Sequence, residues 1–212
     1  MDKFKQEVAI KEQIIDRGIS TPKLIKALTE IPREDFVPEN KKEQTWFDGP
    51  LDIGYNSSIS APYLVAKTTD LLGLHGQEKV LEVGTGSGYQ AVLLSKLTKM
   101  VYSIDIIPEL TALAKDRAKK LGIKNVLFLT GDGSMGYPQE ALFDAIVVTA
   151  GSPKIPQPLI AQLRVGGKLI IPVGDEFSQS LLLVKRRTTD IETHPIEAVR
   201  FVPLIGRYAW RI

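Results

Sequence analysis

Leu81-Glu82-Val83-Gly84-Thr85-Gly86-Ser87-Gly88-Tyr89-Gln90 is the stretch on which the fold turns. It begins in a short apolar run, Val80-Leu81-Glu82-Val83, of the length of a buried strand. It then passes through three glycines at alternate positions and enters Tyr89 to Leu97, which reads as a helix. Glycine at such a junction lets the backbone turn tightly and lets a ligand approach the main chain. Asp105 lies 17 residues beyond Gly88, at the end of a second apolar run, Met100 to Ile106. A carboxylate there can accept two hydrogen bonds from ribose hydroxyls, so strand, loop, helix and acid in register point to a nucleoside-containing cofactor. Taken alone, the glycine pattern would equally suit a structural turn of an α/β fold.

Downstream, strand and helix patterns alternate. Pro108 to Leu121 reads as a helix with proline in its first turn, Val126 to Thr130 and Ala145 to Thr149 as strands, and Ile155 to Leu163 as a short helix. Gly166-Gly167 turns into a strand over Lys168 to Val173. Such alternation implies a parallel sheet covered on both faces. Ser180 to Lys185 and Ala198 to Leu204 read as strands with no room for a helix between them, hence an antiparallel hairpin at one sheet edge. Upstream, Lys3 to Arg17 has the helical spacing Val8, Ile10, Ile14, Ile15 and stops at Gly18. Ser20-Thr21-Pro22 starts a second helix that ends before Pro32, and Pro62 to Leu72 forms a third. Residues 33 to 60 show little periodicity, and ordered loops of that length are commonly functional. The expectation is an α/β, doubly wound, mostly parallel seven-stranded sheet with a C-terminal antiparallel hairpin and an N-terminal helical extension. At roughly 150 residues per domain, the chain of 212 residues is read as a single domain: 1–75 carries the helices and the loop, 76–212 the cofactor-binding core.

The composition narrows the chemistry. There is no cysteine and there are two histidines, His75 and His194, so disulfides, thiolate nucleophiles and cysteine-based zinc sites are excluded and no metal site is expected. His75 sits in a polar turn and His194 precedes Pro195, and both read as exposed; Trp46, Phe47 and Trp210 read as packing residues. The net charge is +2, and the densest basic stretch, Lys185-Arg186-Arg187, is a solvated strand end rather than a nucleic-acid groove. No apolar run approaches a membrane span, and the start, Met1-Asp2-Lys3-Phe4-Lys5-Gln6-Glu7, is polar and unlike a signal peptide. A cytoplasmic protein without membrane or nucleic-acid partners is the expectation.

The glycine spacing is G-x-G-x-G rather than the dinucleotide G-x-G-x-x-G, with Glu82 two residues before the first glycine. It resembles motif I of class I S-adenosylmethionine-dependent methyltransferases. That resemblance implies an acid for the ribose, in the place of Asp105, and an acidic loop near adenine, in the place of Gly131-Asp132-Gly133. A P-loop and a G-x-S-x-G elbow are both absent. The N/D-P-P-Y motif that accompanies amine methylation is replaced by Val147-Val148-Thr149-Ala150-Gly151-Ser152-Pro153.

Further segments resemble the protein-L-isoaspartate O-methyltransferase family, over about residues 20 to 206. They are Ile31-Pro32-Arg33-Glu34-Asp35-Phe36-Val37-Pro38, Gly49 to Pro62, Gly131 to Tyr137, Phe143 to Ala150, Pro156 to Gly174, and Val199-Arg200-Phe201-Val202-Pro203-Leu204. The run Tyr55-Asn56-Ser57-Ser58 departs from the family's usual glycine or phenylalanine followed by glutamine, and Ser58 keeps the hydroxyl of the usual threonine. The resemblance implies methyl transfer from S-adenosyl-L-methionine, leaving S-adenosyl-L-homocysteine, to the α-carboxylate of L-isoaspartyl residues in damaged proteins and peptides, by a monomer. It implies Ser60 as the catalytic residue. It places the cofactor against Ser57, Ser58, Ile59, Glu82, Gly84, Thr85, Gly86, Ser87, Gly88, Asp105, Ile106, Asp132 and Gly133, and the substrate against Ile53, Asn56, Ser58, Ser60, Val202 and Pro203. Ser60 precedes a helix and has the alternative role of an N-cap, and Asp132 that of bracing a glycine turn. Two other functions stay open: a related transferase acting on a nucleic acid or small molecule, and an NAD-dependent oxidoreductase or a cofactor-binding module without turnover.

Overall fold

The computed structural model describes Lys3 to Arg211; Met1 and Asp2, read above as part of a polar start, lie outside the described residues. Two helices come first, α1 (Lys3–Ile10), which runs into a π-helical turn (Lys11–Ile15), and α2 (Pro22–Glu30). The expected single helix to Arg17 is therefore wound more widely in its second half, where the Asp16 N–H reaches back five residues to the Lys11 carbonyl at 2.9 Å. Gln6 ties α1 to α2 by donating to the Leu28 and Thr29 carbonyls at the C-terminal end of α2.

The expected loop over 33–60 contains two 3-10 turns (Arg33–Phe36 and Glu39–Gln44) and a small hairpin, β1 (Leu51–Gly54) with β2 (Ser57–Ile59). Its strands are too short for alternation to announce them. α3 (Pro62–Leu72) follows and ends on Gly73 in the left-handed conformation.

The core is β3 (Lys79–Val83), α4 (Tyr89–Ser95), β4 (Met100–Asp105), α5 (Pro108–Lys120), β5 (Val126–Thr130), β6 (Phe143–Val148), α6 (Gln157–Ala161), β7 (Leu163–Gly174), β8 (Gln179–Arg186) and β9 (Ile191–Val199). The seven-stranded sheet has the order β5-β4-β3-β6-β7-β8-β9. Its first five members are parallel, and β8 runs antiparallel to both β7 and β9. From β3 the chain moves outward to β4 and β5, then returns to β6 and moves the other way. The carboxyl ends of β3 and β6 therefore flank a topological switch point, where open α/β sheets bind ligands.

Period-two alternation sorts the strands between two faces. Leu81, Val83, Ile146, Val148, Leu169 and Ile171 share one buried cluster, with α6. Val80, Val101, Ala145, Val147 and Ile170 share another, with Leu72 of α3 and Leu94 of α4. A third cluster joins α1, α2 and the β1–β2 hairpin to Tyr89, Val92 and Leu93 of α4. The N-terminal elements are thus packed onto the core by shared apolar burial.

One strand lies elsewhere than its pattern suggested. The last strand is Ile191–Val199, not Ala198 to Leu204. Pro195 makes the earlier residues look unfit for a ladder, but β9 is the sheet edge, where a missing N–H is tolerated, and a bulge between Leu181 and Leu182 absorbs the irregularity. Residues 200–204 instead turn back over the end of β6, where Gly151 pairs with Pro203.

Candidate active site

A cavity of about 550 Å³ opens at the switch point. Its floor is Val83, Gly84 and Gly86 after β3, with Ile104, Asp105, Ile106 and Ile107 at the end of β4. Gly133, Thr149 and Ala150 come from the ends of β5 and β6. One wall is Tyr55, Asn56, Ser57 and Ser58 of the hairpin, and the other is Val202 to Ile205. A small adjoining pocket of about 30 Å³ is lined by Ser58, Ile59, Ser60, Thr85, Ser87, Tyr89, Gln90 and Thr149, among others.

The glycines are there because the backbone must bend and be bare. Gly86 has φ +52, and a Cβ on it would project to within 3.8 Å of Ile53 Cδ1 and 3.9 Å of the Ser58 carbonyl, into the gap between loop and hairpin. Gly88, at φ +87, faces away from the cavity: a Cβ would stand 2.7 Å from that of Ala114, so this glycine lets α4 approach α5. It packs helices and does not line the cavity. Thr149 holds the loop from the other side, its hydroxyl donating to the Gly84 carbonyl at 2.6 Å.

Asp105 stands where the sequence placed it. It is 7% exposed and accepts the Gly86 N–H at 2.8 Å and the Ile107 N–H at 3.0 Å, one on each carboxylate oxygen. Each oxygen keeps a lone pair free for a ligand hydroxyl. Glu82 does not reach the cavity. It is 0% exposed, covered on one side by its β4 neighbour Ser103 and on the other by its β6 neighbour Val147. Ser103 donates to its Oε2, Thr85 Oγ1 stands 2.6 Å from Ser103 Oγ, and Glu82 Oε1 has no partner. Burial above all, with a smaller contribution from the nearby Asp105 charge, pushes the Glu82 pKa up to about 8, against the opposing pull of the Ser103 bond. Glu82 is thus a neutral acid supporting the loop from beneath rather than a ligand on its surface.

Asp132 takes up the bracing role that the sequence offered beside cofactor contact. Its Oδ1 accepts from the Ser134 N–H and hydroxyl, and its Oδ2 accepts the Arg207 N–H at 2.7 Å. It fastens the segment after Leu204 to the β5 loop, and its neighbour Gly133 is the residue that lines the cavity. Asp132→Ala is expected to cost about 1–2 kcal/mol, hence a melting temperature lower by roughly 2–8 °C, with a modest loss of affinity for S-adenosyl-L-homocysteine. A tenfold affinity loss at unchanged melting temperature would restore it to the ligand.

Tyr55 and Asn56 have φ +55 and +53, the two left-handed central residues of a type I′ hairpin turn. Asparagine tolerates that conformation well, so the departure at Asn56 keeps the turn. Beyond it, Leu51 and Ile59 anchor the hairpin in the core. Ser60 comes next, and it is not an N-cap: Ala61 occupies the cap position of α3, without a side-chain hydrogen bond. Among the described residues the Ser60 hydroxyl has no protein partner, while the Ser60 carbonyl accepts Arg33 Nη2 at 2.7 Å. Ile53 is half-buried beside Gly86.

The Val202–Pro203 wall offers fewer backbone groups than its length suggests. The Val202 carbonyl already accepts the Gly151 N–H at 2.8 Å, and Pro203 has no N–H, so the Val202 N–H and the Pro203 carbonyl remain. Tyr55, Ile107, Thr149, Ala150, Leu204 and Ile205 line the cavity although the sequence did not single them out. For Ile107, Thr149 and Ala150 the signal was positional, since they follow the ends of β4 and β6 at the switch point.

The set of groups suits a nucleoside sulfonium. An acid with free lone pairs, a bare glycine loop and a half-apolar wall face one another, and among the described residues no group of three His, Cys, Asp or Glu side chains could hold a metal. No helix is long and apolar enough to cross a membrane. Residues 5–209 match the family described as protein-L-isoaspartate(D-aspartate) O-methyltransferase. The chain is 47% identical over 201 residues to protein-L-isoaspartate O-methyltransferase 1 of Syntrophobacter fumaroxidans, covering 95% of this chain and 94% of the relative. It is 44% identical over 209 residues to protein-L-isoaspartate O-methyltransferase 2 of Pelobacter propionicus, covering 98% and 93%. A solved protein-L-isoaspartate O-methyltransferase superposes with a TM-score of 0.87 at 30% identity, over 96% of this chain and 67% of that one. A Plasmodium falciparum structure described as a complex with S-adenosyl-L-homocysteine has the same fold, with a TM-score of 0.82 at 24% identity over 95% and 99%.

Proposed function

Because this chain belongs to the protein-L-isoaspartate(D-aspartate) O-methyltransferase family, we propose that Ser60 and the hairpin before it hold an isoaspartyl carboxylate against a cofactor seated on Asp105 and the glycine loop. The enzyme is an S-adenosyl-L-methionine-dependent methyltransferase of isoaspartyl residues, and the methyl ester it makes closes to a succinimide that can open to normal aspartate. The observation that carries the assignment of Ser60 is that it lines the small pocket next to the loop with a hydroxyl that neither caps α3 nor bonds another described residue.

The acceptor needs no base. A carboxyl group of ordinary pKa is ionised at neutral pH. When bound, S-adenosyl-L-methionine supplies a methyl group activated by a sulfonium. What this chain contributes is position and exclusion of water. Asp105 takes the ribose hydroxyls, Gly86 leaves room for close approach, and Ser57, Ser58 and Ile59 cover the cofactor. Ser60 donates its hydroxyl to the acceptor carboxylate. The Val202 N–H and Pro203 carbonyl receive the extended substrate backbone, as in strand addition. Ile53, Asn56 and Tyr55 meet the residues around the damaged site. The N-terminal elements share a buried apolar cluster with α4, which supports one domain, 1–212, and we read the protein as a monomer. We place it in the cytoplasm, acting on damaged proteins and peptides without a nucleic-acid or membrane partner.

An isoaspartyl peptide incubated with methyl-labelled cofactor should take up label as a base-labile methyl ester that releases volatile labelled methanol. Label found only in RNA, or in a product stable to base, would overturn the reading. Ser60→Ala should lower kcat about tenfold while the Kd for S-adenosyl-L-homocysteine, measured by calorimetry, stays within about twofold. Unchanged turnover would leave Ser60 without a role in the reaction.

A further inference from the structure

Directly behind Ser60 lies a buried charge that the scheme above does not use. Arg33, in the first 3-10 turn, is 0% exposed. Its Nε donates to the Thr45 carbonyl at 2.9 Å and its Nη2 to the Ser60 carbonyl at 2.7 Å. Its Nη1 is buried without a hydrogen-bond partner, and no carboxylate among the described residues forms an ion pair with it. The guanidinium carbon stands 4.8 Å from the centroid of the Tyr89 ring, and Tyr89 lines the same small pocket as Ser60. Burial pushes the pKa of this guanidinium down, so holding it here is costly. An aliphatic side chain would fill the space without that cost, but it could not reach two carbonyls at once.

We propose that Arg33 is a positioning residue for methyl transfer: its rigid fork ties the Thr45 turn to the Ser60 carbonyl and so sets where the Ser60 hydroxyl meets the acceptor carboxylate. Arg33 touches neither substrate nor cofactor; it acts through Ser60. The inference rests on the reading of Ser60 given above. A lysine keeps the charge but has a single ammonium in place of the planar fork, so it cannot reproduce both bonds in one geometry.

The test is a double-mutant cycle on methanol release from an isoaspartyl hexapeptide, with Arg33→Lys, Ser60→Ala and the double variant. Arg33→Lys should lower kcat about tenfold, with the peptide KM and the Kd for S-adenosyl-L-homocysteine within about threefold of wild type. In the Ser60→Ala background the same change should cost less than about twofold, because the hydroxyl it positions is gone. Arg33→Met, where it folds by its melting curve, should be slower still; where it does not fold, Arg33→Lys decides. A folded Arg33→Lys enzyme with unchanged kcat overturns the proposal. Equal losses in both backgrounds overturn it too, leaving Arg33 a structural residue while a slow Ser60→Ala enzyme upholds the reading of Ser60. If Ser60→Ala turns over normally while wild type releases methanol, the reading of Ser60 fails and the inference with it.

Discussion

Replacing Asp105 with alanine should weaken binding of S-adenosyl-L-homocysteine about 100-fold or more, measured by calorimetry on the purified chain. The carboxylate is nearly buried, and each oxygen already accepts one backbone N–H, from Gly86 and Ile107. Those bonds fix its plane before any ligand arrives, so ribose hydroxyls bound as proposed would meet preset acceptors. A hydrogen bond to a charged group contributes about 1.5–3 kcal/mol, and two of them account for a factor of about 100 or more in Kd. Alanine also frees the Gly86 N–H, loosening the one glycine of the loop that faces the hairpin. Asp105→Asn keeps the shape and one acceptor and should fall between, about tenfold weaker. The melting temperature without ligand serves as control, because loss of fold would also remove binding. An alanine variant that binds like wild type would place the ribose elsewhere.

The place of Asp105 at the switch point was legible because it follows from chain order alone. A strand, a glycine loop, a helix and a second strand must deliver Asp105 beside Gly86, and the parallel register of β3 with β4 does so. Glu82 belongs to the same motif but plays a different part, for a reason that sequence spacing does not contain. It lies on a central strand, so its neighbours on β4 and β6 close over it, and depth in the sheet decides whether an acid is a ligand or a support. Asp132 is a similar case: its partner Arg207 is 75 residues away and is brought near only by the returning C-terminal segment. The β1–β2 hairpin escaped because strands of four and three residues carry no measurable alternation; its turn, however, was written in Tyr55-Asn56. The N-terminal helices were visible through their apolar spacing. What spacing could not say is that the turn after them sends Arg33 under Ser60.

The same buried position of Glu82 predicts an unusual pH dependence of stability. In the folded chain its pKa is pushed up to about 8, while an exposed glutamate has the ordinary value of 4.5. Between those values the folded chain holds a proton that the unfolded chain has released. Stability from this group is therefore complete below about pH 4.5, declines as pH rises, and is lost once pH passes about 8. The full span corresponds to on the order of 3–5 kcal/mol, discounting for relaxation around the charge. Glu82→Gln replaces the neutral acid with a neutral isostere that cannot titrate. The amide oxygen of the substituted side chain can accept from Ser103 in place of Glu82 Oε2. Near pH 5 the two proteins should melt within a few degrees of each other, since both folded chains carry an uncharged group under the loop and the unfolded wild type has as yet gained little by ionising. Near pH 9 the wild type must hold a carboxylate that makes one hydrogen bond and has an unpartnered oxygen, and it should melt about 10 °C below the variant. Melting curves followed by circular dichroism from pH 5 to pH 9 give the answer. Parallel curves would mean that Glu82 is ionised in the folded protein at neutral pH. The glycine loop would then rest on a charge, and the fall in ribose affinity expected for Asp105→Ala would have to be read against a second carboxylate beneath it.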